Sequence, residues 1–277
     1  MLQDLNQKRI RYMIKKLLSK HIIDTVQDDM VAVLLSGGVD SLSCAIAAHH
    51  VGKTVHAYSF HLDTHETYDY KKAQEVADIM GWSFTGISVP TNDLENDWFR
   101  LRELGCEKKT HYECVWPFLY VYPKINEKYV LTGWGADGYH GVSKKAVMHY
   151  KHPKEKFDHF RDDYFLPEKT AGVKWHLTLA ESYGKVMINP FLDKKVKDYF
   201  YQFTWDELNK PKQKQHIRDD FQELNKFGKI KPHLNLQLAS GVDNVFETLL
   251  NNKKINFKGR KRMMDVCRDW RNGVLPI

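Results

Sequence analysis

The stretch Val31-Ala32-Val33-Leu34-Leu35-Ser36-Gly37-Gly38-Val39-Asp40-Ser41 decides how the chain folds. Five apolar residues in a row read as a strand buried on both faces. Ser36-Gly37-Gly38 is a turn poor in Cβ atoms, and Leu42, Ala45, Ile46 and Ala48 then recur at helical spacing. The segment is therefore strand, glycine loop and helix, with the loop on the helix N-terminus. Glycines let the backbone approach a ligand, free N–H groups point outward, and the helix dipole favours negative charge. Such a loop cradles an anion, and phosphate is the expected one. Asp40 is acidic where a bare phosphate site favours neutral groups, so it fits as a ligand of Mg2+ shared with the phosphates.

Downstream, strands are expected at 54–60, 82–89 and 128–132, with helices at 71–80, 94–104 and 114–122 between them. Ala73, Val76, Ala77 and Met80 share one helical face, and Gly81 follows as a terminating glycine. Strands alternating with helices predict an α/β fold, a parallel sheet with flanking helices and ligands at the C-terminal strand ends. Upstream, residues 5–26 read as a helix with Ile10, Met13, Ile14, Leu17 and Leu18 as its apolar stripe. From 143 to about 183 the periodicity fades and charge rises. Beyond Asn189, helices are expected at 194–203, 214–224, 242–251 and 260–271. The expected organisation is an N-terminal helix (1–29), a core that carries the phosphate loop (30–142), a basic insertion or lid (143–190) and a helical C-terminal lobe (191–277).

The 277 residues are 42% hydrophobic, which suffices for a sizeable core, and the net charge of +7 favours anionic ligands. No apolar run approaches the roughly 20 residues that span a bilayer. The N-terminus has no signal-peptide layout, and Cys44, Cys106, Cys114 and Cys267 are too scattered for a disulfide framework. These features favour a cytoplasmic protein with no membrane partner. The basic face of the first helix reads as a solvated surface, with nucleic acid left open as a second choice.

A second glycine-rich loop, Thr132-Gly133-Trp134-Gly135-Ala136-Asp137-Gly138-Tyr139-His140-Gly141, follows the fourth expected strand. In a parallel sheet it can face the first loop, which brings Asp137 near Asp40. Two carboxylates sharing one Mg2+ suit a nucleotide site.

The first loop is neither a Walker A motif nor a dinucleotide fingerprint. Ser36 to Ser41 resembles Ser-Gly-Gly-X-Asp-Ser, the pyrophosphate loop of the ATP pyrophosphatases. Further landmarks stand in family order: Thr132 to Gly141, Asn189-Pro190-Phe191-Leu192-Asp193, Lys214-Gln215-His216-Ile217-Arg218 and Ser240-Gly241-Val242. Together they resemble the synthetase domain of asparagine synthetase, a fold shared with β-lactam synthetase. The resemblance implies an adenine nucleotide alpha-hydrolase-like fold with ATP and Mg2+ as cofactors. It implies phosphate binding by Ser36, Gly37, Gly38, Val39, Asp40 and Ser41, with Asp40 and Asp137 as magnesium ligands. Adenosine would lie against Phe60, His61, Leu62, Thr132 and Gly133, and Lys214 would neutralise phosphate charge. Arg218 reads as a structural partner or a second cation. The implied activity is an AMP-forming ligation, in which a small-molecule carboxylate is adenylated and then joined to an amine or ammonia.

Three positions depart from the family. Leu2 follows Met1 where the family has its glutaminase cysteine, so no glutaminase of its own is expected. The amine would be free ammonia, an amine substrate, or ammonia from a separate partner. Trp134 and Gly138 stand where the family carries glutamates, so either another base serves, with Glu113, His111, His140 and Tyr139 as candidates, or the acceptor needs none. Asn235 stands at the family lysine, with Lys229 and Lys231 close in sequence. Two alternatives stay open: a nucleobase- or tRNA-modifying ATP pyrophosphatase, and a nucleotide-binding module without catalysis.

Overall fold

The computed structural model describes residues 13–252 except 167, 168, 170 and 233. The helix expected at 260–271, the first part of the helix expected at 5–26, and Cys267 lie outside the described residues. Five strands form one sheet: β1 Met30–Leu34, β2 Thr54–Leu62, β3 Ser83–Val89, β4 Tyr129–Leu131 and β5 Val186–Ile188. Their order is β3-β2-β1-β4-β5 and every pairing is parallel. The chain thus moves outward from β1 to β3, then returns to lay β4 on the other side of β1. The topological switch point falls between β1 and β4, where a parallel sheet opens a crevice beyond its strand ends.

Alternation along β1 divides the protein into two cores. Val31 and Val33 face the helices Ile14–Thr25 and Val39–His50, whereas Ala32 faces Tyr58, Val130 and the helices that follow β3. In the first helix Ile14, Leu18 and Ile22 are fully buried, so the stripe runs through Ile22, and Met13 is exposed. Helix Tyr68–Met80 starts at Thr67, whose hydroxyl accepts from Tyr70 N at 3.3 Å, and ends at Gly81 with φ +67°.

Elsewhere the chain departs from expectation. The helix expected at 114–122 is two shorter ones, Lys109–Val115 and Phe118–Val121, separated at Trp116 and Pro117. Proline lacks the N–H that would continue the ladder. The segment of faded periodicity holds three helices, Lys144–His149, Lys154–Tyr164 and Ala171–Ser182, and Val186–Ile188 adds a strand that the sequence reading lacked. Phe157 and Phe160 bury one side of the second of these, and its lysines and histidine cover the other. The helix expected at 214–224 is confined to Gln215–Asp220 and is followed by a 3-10 turn.

Candidate functional site

Ser36–Ser41 leaves the end of β1 and Thr132–Gly141 leaves the end of β4, so the two glycine loops meet at the switch point. Their closeness is encoded in Gly133. A Cβ there would stand 2.7 Å from the carbonyl carbon of Asp40 and the nitrogen of Ser41. Gly37 has φ +70°, and a Cβ on it would stand 2.8 Å from the Lys72 stem. Within the first loop the Ser36 and Ser41 hydroxyls lie 3.1 Å apart. Ser36 N donates to Ser41 Oγ at 3.2 Å, and Gly38 N donates to Ser36 Oγ at 3.3 Å. These bonds hold the turn open above the N-terminus of helix Val39–His50.

Lys214 joins the loops. Its Nζ donates to Asp40 Oδ2 and, at 2.5 Å, to Asp137 Oδ1. The residue is 4% exposed, and its backbone is left-handed at φ 58°. Such a conformation costs a non-glycine residue of order 1–3 kcal/mol and persists only where the surroundings impose it. Here Asn209 imposes it: Asn209 Oδ1 accepts from Lys214 N at 3.1 Å, while its Nδ2 donates to His140 O at 2.9 Å. Burial alone would lower the lysine's pKa, but the two carboxylates outweigh burial and raise it. The ammonium is therefore a fixed cation between two acids that are distant from it in sequence, Asp137 by 77 residues and Asp40 by 174.

Around this cluster lies a cavity of about 620 Å3. Ser36 to Ser41, Phe60, Thr132, Gly133, Asp137 and Lys214 all line it; His61 and Leu62 do not. The His61 ring turns against Tyr70, with Nδ1 2.8 Å from the Leu62 carbonyl oxygen, and Leu62 is fully buried. Tyr58 and Ser59 line the cavity beside Phe60 instead. Arg218 also lines it, and its Nε donates to Gln213 O at 3.3 Å. Burial lowers the Arg218 pKa, and the charge of Asp40 acts against that fall.

None of the four candidate bases lines the cavity. Glu113 is 1% exposed and paired with Lys109 at 2.8 Å. His111 is buried and accepts from Trp175 Nε1 at 3.2 Å. Tyr139 stacks on Phe200 at 4.9 Å. His140 donates from Nδ1 to Ala136 O at 2.8 Å, and burial first, then Lys214, lowers its pKa to about 3. In their place the cavity presents Tyr164, Lys169 and His176, which the sequence reading missed. Tyr164 fills the space that a side chain at 138 would need, since a Cβ on Gly138 would meet its ring at 2.3 Å. His176 has one legible signal, because His176, Leu179 and Ala180 recur at helical spacing and all three are buried. Asn235, expected at the family lysine, is exposed, and of the two lysines near it in sequence Lys231 lines the cavity whereas Lys229 does not.

A parallel sheet with a glycine-rich loop on a helix N-terminus at its switch point, and two carboxylates on a buried lysine beside it, is an α/β arrangement suited to a nucleotide. The family model described as asparagine synthase matches residues 13–182, more than half of the chain, and the chain belongs to that family. The family consists of ATP-using, ligase-like synthetases. Lys214, Arg218 and Asn235 lie beyond the matched stretch. No curated protein sequence matches the chain.

Similar solved structures include NMN synthetase from Francisella tularensis, with 18% identity, coverage of 83% of this chain and 98% of that one, and a TM-score of 0.37. NH3-dependent NAD synthetase from Campylobacter jejuni subsp. jejuni shows 12% identity, coverage of 82% and 98%, and a TM-score of 0.35. A predicted subunit of tRNA methyltransferase from Methanocaldococcus jannaschii shows 15% identity, coverage of 71% and 88%, and a TM-score of 0.34. Likeness at this level says nothing of substrate. Among the described residues no helix is long and apolar enough to cross a membrane.

Proposed function

We propose that the protein is a Mg-ATP-dependent, AMP-forming carbon–nitrogen ligase that adenylates a small-molecule carboxylate and passes the acyl group to an amine or ammonia. The observation that carries this reading is the buried Lys214 ammonium held between Asp40 and Asp137 beside the Ser36–Ser41 loop. The donor set fits magnesium. Two carboxylates already converge on one cation, and Mg2+ takes one or two carboxylates together with phosphate oxygens and water. Asp40 and Asp137 would hold it, and when bound it would supply positive charge to the phosphates.

The remaining work falls to the chain itself. Backbone N–H groups of the Ser36–Ser41 loop receive phosphate oxygens, and the dipole of helix Val39–His50 adds partial positive charge. An acceptor carboxylate oxygen bonds to the α-phosphorus as the bond from that phosphorus to the bridging oxygen breaks, and pyrophosphate leaves. Lys214 and Arg218, which line the same cavity, supply fixed positive charge to the leaving group in this reading, and such cations stabilise the transition state. The amine nitrogen then bonds to the acyl carbon, the acyl–oxygen bond breaks, AMP departs, and the proton of the new amide nitrogen passes to water. With Tyr164 covering Gly138 and Trp134 at the other family glutamate, the amine enters already unprotonated.

The experiment is to incubate the purified protein with Mg-ATP, ammonia or amines, and a panel of carboxylic acids, and to identify the products. Pyrophosphate and AMP in equal amounts support the reading; ADP with phosphate overturns it. Pyrophosphate release that requires added tRNA or DNA would move the acceptor to nucleic acid. Nucleotide binding without turnover on any acceptor would leave a binding module.

A further inference from the structure

The cavity lining combines two kinds of chemistry. Asp40, Asp137, Lys214 and Arg218 line it together with a row of rings that starts in the second glycine loop at Trp134. Phe60 meets Phe118 edge-on at 5.8 Å, Phe118 meets His176 at 4.5 Å, and His176 meets Trp134 at 4.3 Å. All four line the same space. His176 belongs to the apolar wall despite its ring nitrogens. It is 4% exposed, its Nδ1 lies 3.0 Å from the Tyr122 hydroxyl, and burial lowers its pKa to about 3, so the ring is neutral.

A purine base is about as large as one indole and covers at most two neighbouring rings of such a row. If adenosine takes the end at Phe60, beside the end of β2, the Trp134–His176 end is left for a second flat group. Trp134 follows Gly133, where a Cβ would stand 2.7 Å from backbone atoms of Asp40 and Ser41, so the Trp134 backbone leaves from beside the first glycine loop. An α-ammonium or a second carboxylate on the acceptor would meet no opposite charge among these four rings, and of the lysines that also line the cavity Lys169 is paired with Asp163 and Lys231 lies over the Tyr68 ring. A flat, uncharged ring gains dispersion and edge-to-face contacts there.

We propose that the acceptor is an aromatic carboxylic acid whose ring packs against Trp134 and His176 and whose carboxylate points to the loop end of the cavity. This inference names the substrate class of the site and rests on the ligase reading for its chemistry, but ring recognition is separable from turnover.

The test therefore measures binding and product formation separately. Calorimetric titration of the Mg-bound complex with a non-hydrolysable ATP analogue uses benzoate, indole-3-acetate and aspartate as probes. The aromatic acids bind at least tenfold tighter than aspartate. Trp134→Ala weakens the aromatic acids by roughly 10–100-fold, the scale of one lost stacking partner, whereas Trp134→Phe keeps most of the affinity. Equal or tighter binding of aspartate by the wild-type protein overturns the proposal, and so does an unchanged aromatic affinity in a folded Trp134→Ala protein. Binding of the ring acids with no pyrophosphate in the parallel assay overturns the ligase reading alone. Pyrophosphate release faster with aspartate than with any ring acid overturns the acceptor assignment alone.

Discussion

The two ends of the cavity are built by opposite means. At the loop end, specificity comes from charge brought together over long sequence distances: Asp40 after β1, Asp137 after β4, and Lys214 far downstream. At the other end it comes from rings packed edge to face, with a histidine made neutral by burial. The first end cannot tolerate the loss of one member, because the others then remain as uncompensated charge. The second end degrades in steps as contact area is removed. A phosphate site shared across a family needs the first kind of construction, and a site that distinguishes one acceptor from another can be built with the second.

The sharpest way to break this contrast is Lys214→Met. The change leaves Asp40 and Asp137 facing each other without their shared cation, and breaking a buried ion pair by removing one partner costs on the order of 3–5 kcal/mol. Side-chain exposures of 17% for Asp40 and 31% for Asp137 allow water to relieve part of this, so about 2–3 kcal/mol is expected in denaturant unfolding. Pyrophosphate release falls by roughly 10²–10³, the scale of one lost electrostatic donor. A Lys214→Met protein as stable and as active as wild type would remove the reason for treating the loop end as an electrostatic unit.

Gly133→Ala comes next. The added methyl would lie 2.7 Å from backbone atoms of Asp40 and Ser41, neither of which is the far end of a flexible side chain. Overpacking of this kind costs roughly 1–3 kcal/mol and separates the two loops. The expected result is a lower melting temperature and at least tenfold weaker binding of an ATP analogue. Binding of the ring acids, which depends on Trp134 one residue away, weakens with it. Loss of nucleotide binding with ring binding intact would show that the two ends are less coupled than the backbone suggests.

His176 tests the aromatic end through pH. Its folded pKa of about 3 lies below the ordinary histidine value of 6.5, because burial disfavours the charged ring. The unfolded chain therefore binds a proton that the folded protein refuses. This contribution is fully present above about pH 6.5 and is lost as the pH falls toward the folded value. At pH 5 the loss relative to pH 8 is about 2 kcal/mol from this one group. His176→Phe keeps a ring and removes the titration, so its unfolding free energy falls less steeply between pH 8 and pH 5. An unchanged slope would mean that His176 is not the neutral plate described here.

The loop end was largely legible in the sequence, and the ring end largely was not. Ser36 to Ser41 and Thr132 to Gly141 are local patterns, each a strand followed by a glycine loop, and a parallel sheet leaves them few places to go. Asp40 and Asp137 follow from that placement. Lys214 was indicated by motif order alone, and what fixes it is a left-handed backbone tied to Asn209, which no periodicity reveals. Tyr164 reaches the cavity from a helix crowded with charge, Lys154–Tyr164, which hid its apolar side, and His176 comes from Ala171–Ser182, a helix that lies in the stretch where periodicity had faded. The complementarity between Gly138 and Tyr164 exists only in three dimensions. His61 and Leu62 show the converse error: alternation turns His61 away from the face of Phe60, and Leu62, on the same face as Phe60, is fully buried in the core.

The smallest effect separates two neighbours. Lys231 lines the cavity, and its Nζ lies 3.9 Å from the centre of the Tyr68 ring. Lys229 contributes only its carbonyl, which accepts from the Tyr68 hydroxyl at 2.6 Å. A cation–π contact at an exposed site is worth about 0.5–1 kcal/mol, so neither alanine variant unfolds the protein. If Lys231 supplies the charge that Asn235 lacks, Lys231→Ala lowers pyrophosphate release about tenfold, the scale of one hydrogen bond to a charged group. Lys229→Ala leaves it unchanged, because only the backbone of that residue is used. Equal losses in both variants would point to the segment's general positive charge, and no loss in either would return the work at the loop end to Lys214 and Arg218.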